Sequence, residues 1–219
     1  TGPRFRTGFD AGEALVLPYL QSQGIQRLDR LIVSHADIDH RGGVPAVLAG
    51  IPVTNHQGAG SGQPCRAGDQ WQWDGVTFEM LHPDTPRWEG NNGSCVLRVS
   101  SAGGSVLIAA DIEVEAERHL VRNQKIASEV LVVPHHGSAT SSSQAFVSAV
   151  NAKYVLIPAG WNNRWGFPRA EVISRFQQQK ALILQTGNSG AILIEVDAKI
   201  GVIPPQRWRD QQRRFWHAR

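Results

Sequence analysis

Between Ser34 and Gly43 the chain reads SHADIDHRGG, which places His35, Asp37, Asp39 and His40 directly behind the apolar run Leu31-Ile32-Val33. Imidazoles supply neutral nitrogen ligands, and carboxylates supply charge able to bridge two cations. A lone His-x-Asp would more often cap a tight turn, but four such groups at one strand end point to metal chemistry. The spacing is not that of a helical H-E-x-x-H site, and the glycines that follow suit a loop doubling back over the strand end. Two more apolar runs end in the same way: VLIAAD closes on Asp111, and VLVVPHHGS closes on His135 and His136. The three ends are expected to converge, because the C-terminal edges of sheet strands leave loops free to aim polar groups while the core holds them. Of the remaining histidines, His56 and His119 read as surface residues and His82, before Pro83, as a turn or pocket residue.

The elements that must position these groups alternate between strand and helix. A helix is expected from about Glu13 to Gln23, ended by Gly24, followed by a buried strand in RLDRLIVS, a short helix in GGVPAVLAG, a strand in IPVTNH and a loop from Gln57 to Gly62. QWQWDGVTFEMLHP alternates around an Asp74-Gly75 hairpin turn, and SCVLRVSSAGGSVLIAAD reads as a second hairpin. Then come a helix in EVEAERHLVRN, the strand ending in the histidine pair, a helix near Ser143–Val150, the strand AKYVLIP, a helix near Arg169–Gln179, and the strands ALILQT and GAILIEV. This order implies an α/β or α+β layered fold. It contains no internal repeat and no glycine-rich phosphate loop, so no nucleotide cofactor is expected.

With 219 residues and 41% hydrophobic content the chain suffices for one sizeable core, and its apolar runs are strand-length rather than membrane-length. The net charge of +3 is a mild excess that favours a polyanion without requiring one. Much of it lies in PPQRWRDQQRRFWHAR, where Arg207, Arg209, Arg213, Arg214 and Arg219 alternate with Trp208, Phe215 and Trp216; the segment reads as a tail packed by its tryptophans or as a nucleic-acid contact. Cys65 and Cys95 match no zinc spacing and read as small buried residues; the sequence alone neither pairs them nor assigns a redox compartment.

HADIDHRGG resembles the H-x-H-x-D-H signature of the metallo-β-lactamase superfamily, with Asp37 where the second histidine usually stands. In order with NNGSCVLRV, VLIAAD, VPHHGSATSSS and NNRWGFP, it is similar to the C-terminal domain of the ComEC/Rec2 DNA-uptake proteins over nearly the whole chain. The resemblance implies a four-layer αββα sandwich over residues 1–205, with the first strands preceding Thr1, followed by a basic aromatic segment at 206–219. It also implies two divalent ions, manganese or zinc, held by His35, Asp37, Asp39, His40, Asp111 and either His135 or His136. Asp111 would bridge the two, and Asp37, Asp39 and His136 would serve catalysis. Asn92, Ser138, Thr140, Ser141 and Arg164 are candidate substrate contacts, although the serine-rich loop also reads as a flexible turn. Two positions depart from the family: EGNNGS offers Asn91 and Asn92 in place of the middle histidine, and Phe167 replaces the histidine of the N-R-Y-G-H-P segment. The implied function is a metal-dependent nuclease on the outer, periplasmic face of the inner membrane, degrading the strand that is not imported. Its partners would be single-stranded DNA and the transmembrane channel of the same protein. A non-catalytic DNA-guiding or channel-gating module, and a hydrolase of small phosphoesters, are the alternatives.

Overall fold

The computed structural model describes residues 1–212. The chain opens with a π-helical turn at Gly12–Val16 that passes into α1 (Leu17–Ser22). The single helix expected here is divided because Pro18 has no N–H to donate to the carbonyl four residues earlier. Strand β1 (Leu31–Val33) follows, then α2 (Ile38–Arg41), α3 (Val44–Gly50) and β2 (His56–Gly58), which pairs with β1 in parallel. The strand expected over IPVTNH is therefore shifted: only Val53 bridges back, to Leu28, and pairing resumes at His56 and extends into the segment expected as loop. The glycine pair after the motif permits close packing. A Cβ on Gly43 would lie 2.5 Å from the Gly12 nitrogen, so the opening turn can rest directly on the start of α3.

The larger sheet has seven strands in chain order: β3 (Gln70–Trp73), β4 (Val76–His82), β5 (Val96–Ser101), β6 (Gly104–Ile108), β7 (Val130–Val132), β8 (Tyr154–Ile157) and β9 (Leu182–Gln185). The first four are antiparallel; hairpin turns join β3 to β4 and β5 to β6, and a longer connection over residues 83–95 joins β4 to β5. Asp74 and Gly75 both take positive φ, as a two-residue hairpin turn requires. From β6 onward the pairing is parallel, because α4 (Val114–Asn123), α5 (Gln144–Val150) and α6 (Ala170–Gln178) carry the chain back between successive strands. Ser143 caps α5 by accepting from Phe146 N.

Register puts Leu107, Leu131 and Val155 on one face of this sheet, where they join Ala116 and Leu120 of α4, Phe146 and Val147 of α5, and Val172 and Phe176 of α6 in the main core. On the opposite face Met80 and Leu97 meet Ile32 of β1, so the two-stranded sheet packs across the larger one. This second contact is stapled by a Cys65–Cys95 disulfide. Both cysteines are buried as expected, and they are paired as well.

After β9 come α7 (Thr186–Ser189), β10 (Ile192–Leu193), β11 (Val196–Asp197), β12 (Gly201–Val202), β13 (Gln206–Arg207) and α8 (Trp208–Gln211). GAILIEV is thus not one strand. Its first half pairs with β13 and its second with β12, so the ladder hydrogen bonds go to two partners. Among the described residues no helix is long and apolar enough to cross a membrane. Arg213, Arg214, Phe215, Trp216 and Arg219 of the basic segment lie outside the described residues.

Candidate metal centre

The ends of β1, β6 and β7 meet where the two sheets pack. His35 follows β1, and Asp37 immediately precedes the one-turn helix α2 that carries Asp39 and His40; Asp111 stands shortly after β6, and His135 and His136 just after β7. Three residues here hold left-handed backbone although none is glycine: Ala110 (φ 49°), His135 (φ 48°) and His136 (φ 54°). Such conformations cost about 1–3 kcal/mol each and persist where surrounding structure enforces them. One enforcing bond is His135 N to Ala110 O, 2.9 Å, which ties the two loops together.

Asp39, His40, Asp111 and His136 form a cluster whose ligand atoms all lie within 4.8 Å of one another. Asp111 is almost fully buried, and its Oδ1 lies 3.2 Å from His40 Nε2. Its Oδ2 lies 3.5 Å from His136 Nε2 and 4.0 Å from His35 Nε2. Asp39 Oδ2 is 3.4 Å from His136 Nε2, and the more exposed Asp37 is 3.8 Å from His35 Nε2. The Nε2 atoms of His35, His40 and His136 are buried and make no hydrogen bond, so three lone-pair donors face two carboxylates.

The opposite ring nitrogens explain why. His136 Nδ1 lies 2.8 Å from Pro158 O, which only accepts, so Nδ1 carries the proton and Nε2 is left as the ligand. Ser34 Oγ lies 3.1 Å from Nδ1 of both His35 and His40, and its two lone pairs can accept from both rings. Sequence reasoning missed Ser34; a hydroxyl immediately before the first histidine is the only signal of it.

The electrostatics favour a cation. The contact with His136 holds the Asp39 carboxyl at about 2. Burial opposes ionisation of Asp111, yet the adjacent imidazoles, His40 first and then His136 and His35, lower its pKa. Burial, then the proximity of His40, keeps His35 neutral. At His136 burial favours the neutral ring but is outweighed, chiefly by Asp39 and Asp111, so its pKa rises. Two imidazole nitrogens and two carboxylates suit a divalent metal ion.

A family model described as the metallo-beta-lactamase superfamily matches residues 7–161. The chain belongs to the metallo-β-lactamase superfamily. It is homologous to competence proteins: Competence protein ComA of Neisseria gonorrhoeae is 39% identical over 193 residues, 83% of this chain and 27% of that protein. Recombination protein 2 of Haemophilus influenzae is 36% identical over 203 residues, 89% of this chain and 25% of that protein. The chain therefore spans about a quarter of the length of these relatives. A solved structure described as a metal-dependent hydrolase from Parabacteroides distasonis aligns with a TM-score of 0.51 at 14% identity, covering 74% of this chain and 77% of that one, which shows the shared fold. The metal-capable cluster in this superfamily fold supports a metal-dependent hydrolase.

The other expected residues stand outside the cluster. His135 has its Nδ1 3.3 Å from Glu113 and its ring edge-on to Phe167, so of the histidine pair His136 is the one in the cluster. Asn92 Oδ1 accepts from Glu113 N and its carbonyl meets the buried His82 ring, so the residue braces the loop before β5. Ser141 is buried and donates to Pro134 O, and Ser138 bonds Thr140; these hydroxyls, expected to face phosphate, hold the loop itself together. Arg164 lies exposed over the Trp165 ring. His119 is partly covered and pairs with Asp84 at 3.1 Å, and His56 is half-buried in β2. On the His35 side a cleft of about 690 Å³ opens, walled by Ala59, Pro64, Pro86, Trp88 and the disulfide, with Arg66 at its edge.

Proposed function

We propose that the chain is the phosphodiesterase domain of a DNA-uptake protein, cutting single-stranded DNA on the outer face of the inner membrane beside the channel of the same full-length protein. The observation that carries the reading is the buried Asp111 carboxylate, whose Oδ1 faces His40 and whose Oδ2 faces both His136 and His35. Asp39, His40, Asp111 and His136 would hold one divalent ion, and His35, Asp37 and Asp111 a second. Such ions supply Lewis-acid charge that lowers the pKa of water and offsets the negative charge of a phosphodiester under attack.

The chain's own residues supply the rest. Asp39 is ionised and partly exposed, so it is placed to accept a hydrogen bond from the attacking water and orient its oxygen toward phosphorus. Asp37 is 60% exposed, so its carboxylate stands where the site opens to solvent. Ser34 and the Pro158 carbonyl keep the imidazoles in the ligand tautomer throughout. The Cys65–Cys95 disulfide supports an oxidising compartment such as the periplasm. The homology to competence proteins supports DNA as substrate and a membrane channel as partner.

The test is incubation of labelled single- and double-stranded DNA with Mn²⁺ or Zn²⁺, beside an Asp111→Asn variant. Metal-dependent cleavage of the single strand, reduced about 100-fold or more in the variant, is expected. Equal cleavage by both proteins would defeat the reading, and binding without cleavage would favour a DNA-guiding module.

A further inference from the structure

Beyond the Pro158 carbonyl, the segment between β8 and α6 has no part in the metal centre as described, yet both its ends are fastened to the turn that carries His136. His136 bonds Pro158 O at one end; at the other, Arg169 N donates to Gly137 O, and Gly137 packs so closely on Pro168 that a Cβ would lie 2.6 Å away. Inside the loop Asn163 bonds Gly160 O and both backbone groups of Phe167, so the conformation is set before anything binds. What the loop shows to solvent is aromatic and basic. Trp161 is 61% exposed and Trp165 52%. Trp165 is parallel to Phe167 within 12° at 6.5 Å, and Phe167 meets His135 edge-on at 5.9 Å, so rings lead stepwise from solvent to the edge of the metal centre. Arg164 lies over Trp165 and Arg169 over Phe167, and among the described residues neither is paired with a carboxylate. From Asn151 to Ala170 the sequence contains no Asp or Glu.

Exposed rings interleaved with unpaired guanidiniums match the two parts of a nucleic-acid strand, flat bases and phosphates. We infer that the Pro158–Arg169 loop is a stacking platform for single-stranded nucleic acid, with bases on Trp161 and Trp165 and phosphates on Arg164 and Arg169, delivering the strand to the metal centre. The inference rests on the phosphodiesterase reading and adds the means of choosing single strands: a duplex keeps its base faces inside its own stack and offers none to the tryptophans.

The test is fluorescence anisotropy on the whole chain in Mn²⁺, with a phosphorothioate oligothymidylate of about a dozen nucleotides and a duplex of equal length. The Trp161→Ala/Trp165→Ala double variant should bind the single strand about 10- to 100-fold more weakly, while Trp165→Phe stays within about threefold of wild type. Duplex binding, already weaker, should change little. On the wild type, an abasic strand should lose a similar factor, which keeps the inference falsifiable even if the double variant does not fold. Unchanged single-strand affinity in a folded double variant, equal losses for duplex and single strand, or an abasic strand bound as tightly as the parent would each overturn the platform. Turnover of bis(p-nitrophenyl) phosphate by the wild type is measured separately: its absence would sink the phosphodiesterase reading, while binding alone decides the platform.

Discussion

Two adjacent histidines in left-handed backbone do different work because their side chains leave the turn in different directions. His136 projects onto Asp39 and Asp111, while His135 projects onto Glu113 and Phe167. Removing a buried ligand nitrogen should therefore weaken metal binding far more than removing its neighbour. His136→Ala is expected to lower affinity for Mn²⁺ or Zn²⁺ by about 100-fold or more, exceeding the 10- to 100-fold typical of an outer partner, whereas His135 bonds no ligand, so His135→Ala should lose less than about 10-fold. Titration calorimetry on both variants checks this, and equal losses would return the ligand assignment to either residue. The role of Ser34 is felt through the rings it orients, so Ser34→Ala should fall between the two.

At the scale of elements, the site depends on two sheets staying in register across their packed faces. Cys95 immediately precedes β5, donates its backbone N–H to Ser34 O, and is bonded to Cys65 in the loop after β2. The cross-link closes a loop with a sequence separation of 30 residues. By chain entropy such a loop contributes ~3–4 kcal/mol to stability. Denaturant melts with and without reductant should show a loss of that size in the wild type and none in a Cys65→Ala/Cys95→Ala variant. A wild type indifferent to full reduction would show that packing of Ile32 on Met80 and Leu97 alone holds the sheets. On the helix side, Glu117 of α4 is buried and accepts from Ser142 N and from Ser143 N, the latter at 2.8 Å, thereby anchoring the serine-rich loop to the main core. Burial raises the pKa of this carboxyl despite the backbone donors.

For the whole molecule, the segment from Gln206 onward belongs mechanically to the body over its described part. β13 completes a two-stranded pair with β10, and the Arg209 guanidinium donates to the Gly187 carbonyl in α7, a helix packed beneath Trp161 of the aromatic loop. Ending the chain after Pro205 should lower the melting temperature, whereas ending it after Gln212 keeps both β13 and the Arg209 bond in place. The shorter deletion removes Arg213, Arg214 and Arg219. If these meet phosphates, DNA binding should weaken and its logarithmic salt slope should fall by roughly one for each phosphate no longer neutralised. Melting curves and DNA affinity at several salt concentrations separate the two effects, and an unaltered slope would remove those arginines from the DNA-binding surface.

The sequence by itself determined the layered α/β order and the convergence of three strand ends, because apolar runs that stop at His or Asp mark both a strand and what its edge presents. It also carried the Asp74-Gly75 turn, which depends on a few neighbouring residues. Long-range geometry decided the rest. The choice of His136 over His135 follows from backbone that only the bond to Ala110 and the surrounding packing enforce. The division of GAILIEV between two partners depends on where a later stretch of chain returns. Asn92, Ser138 and Ser141 read as polar candidates in the sequence, but their hydrogen-bond partners lie in the folded loops. Likewise, pairing of Cys65 with Cys95 required a loop and a strand start to meet across two sheets, a proximity that no local pattern encodes.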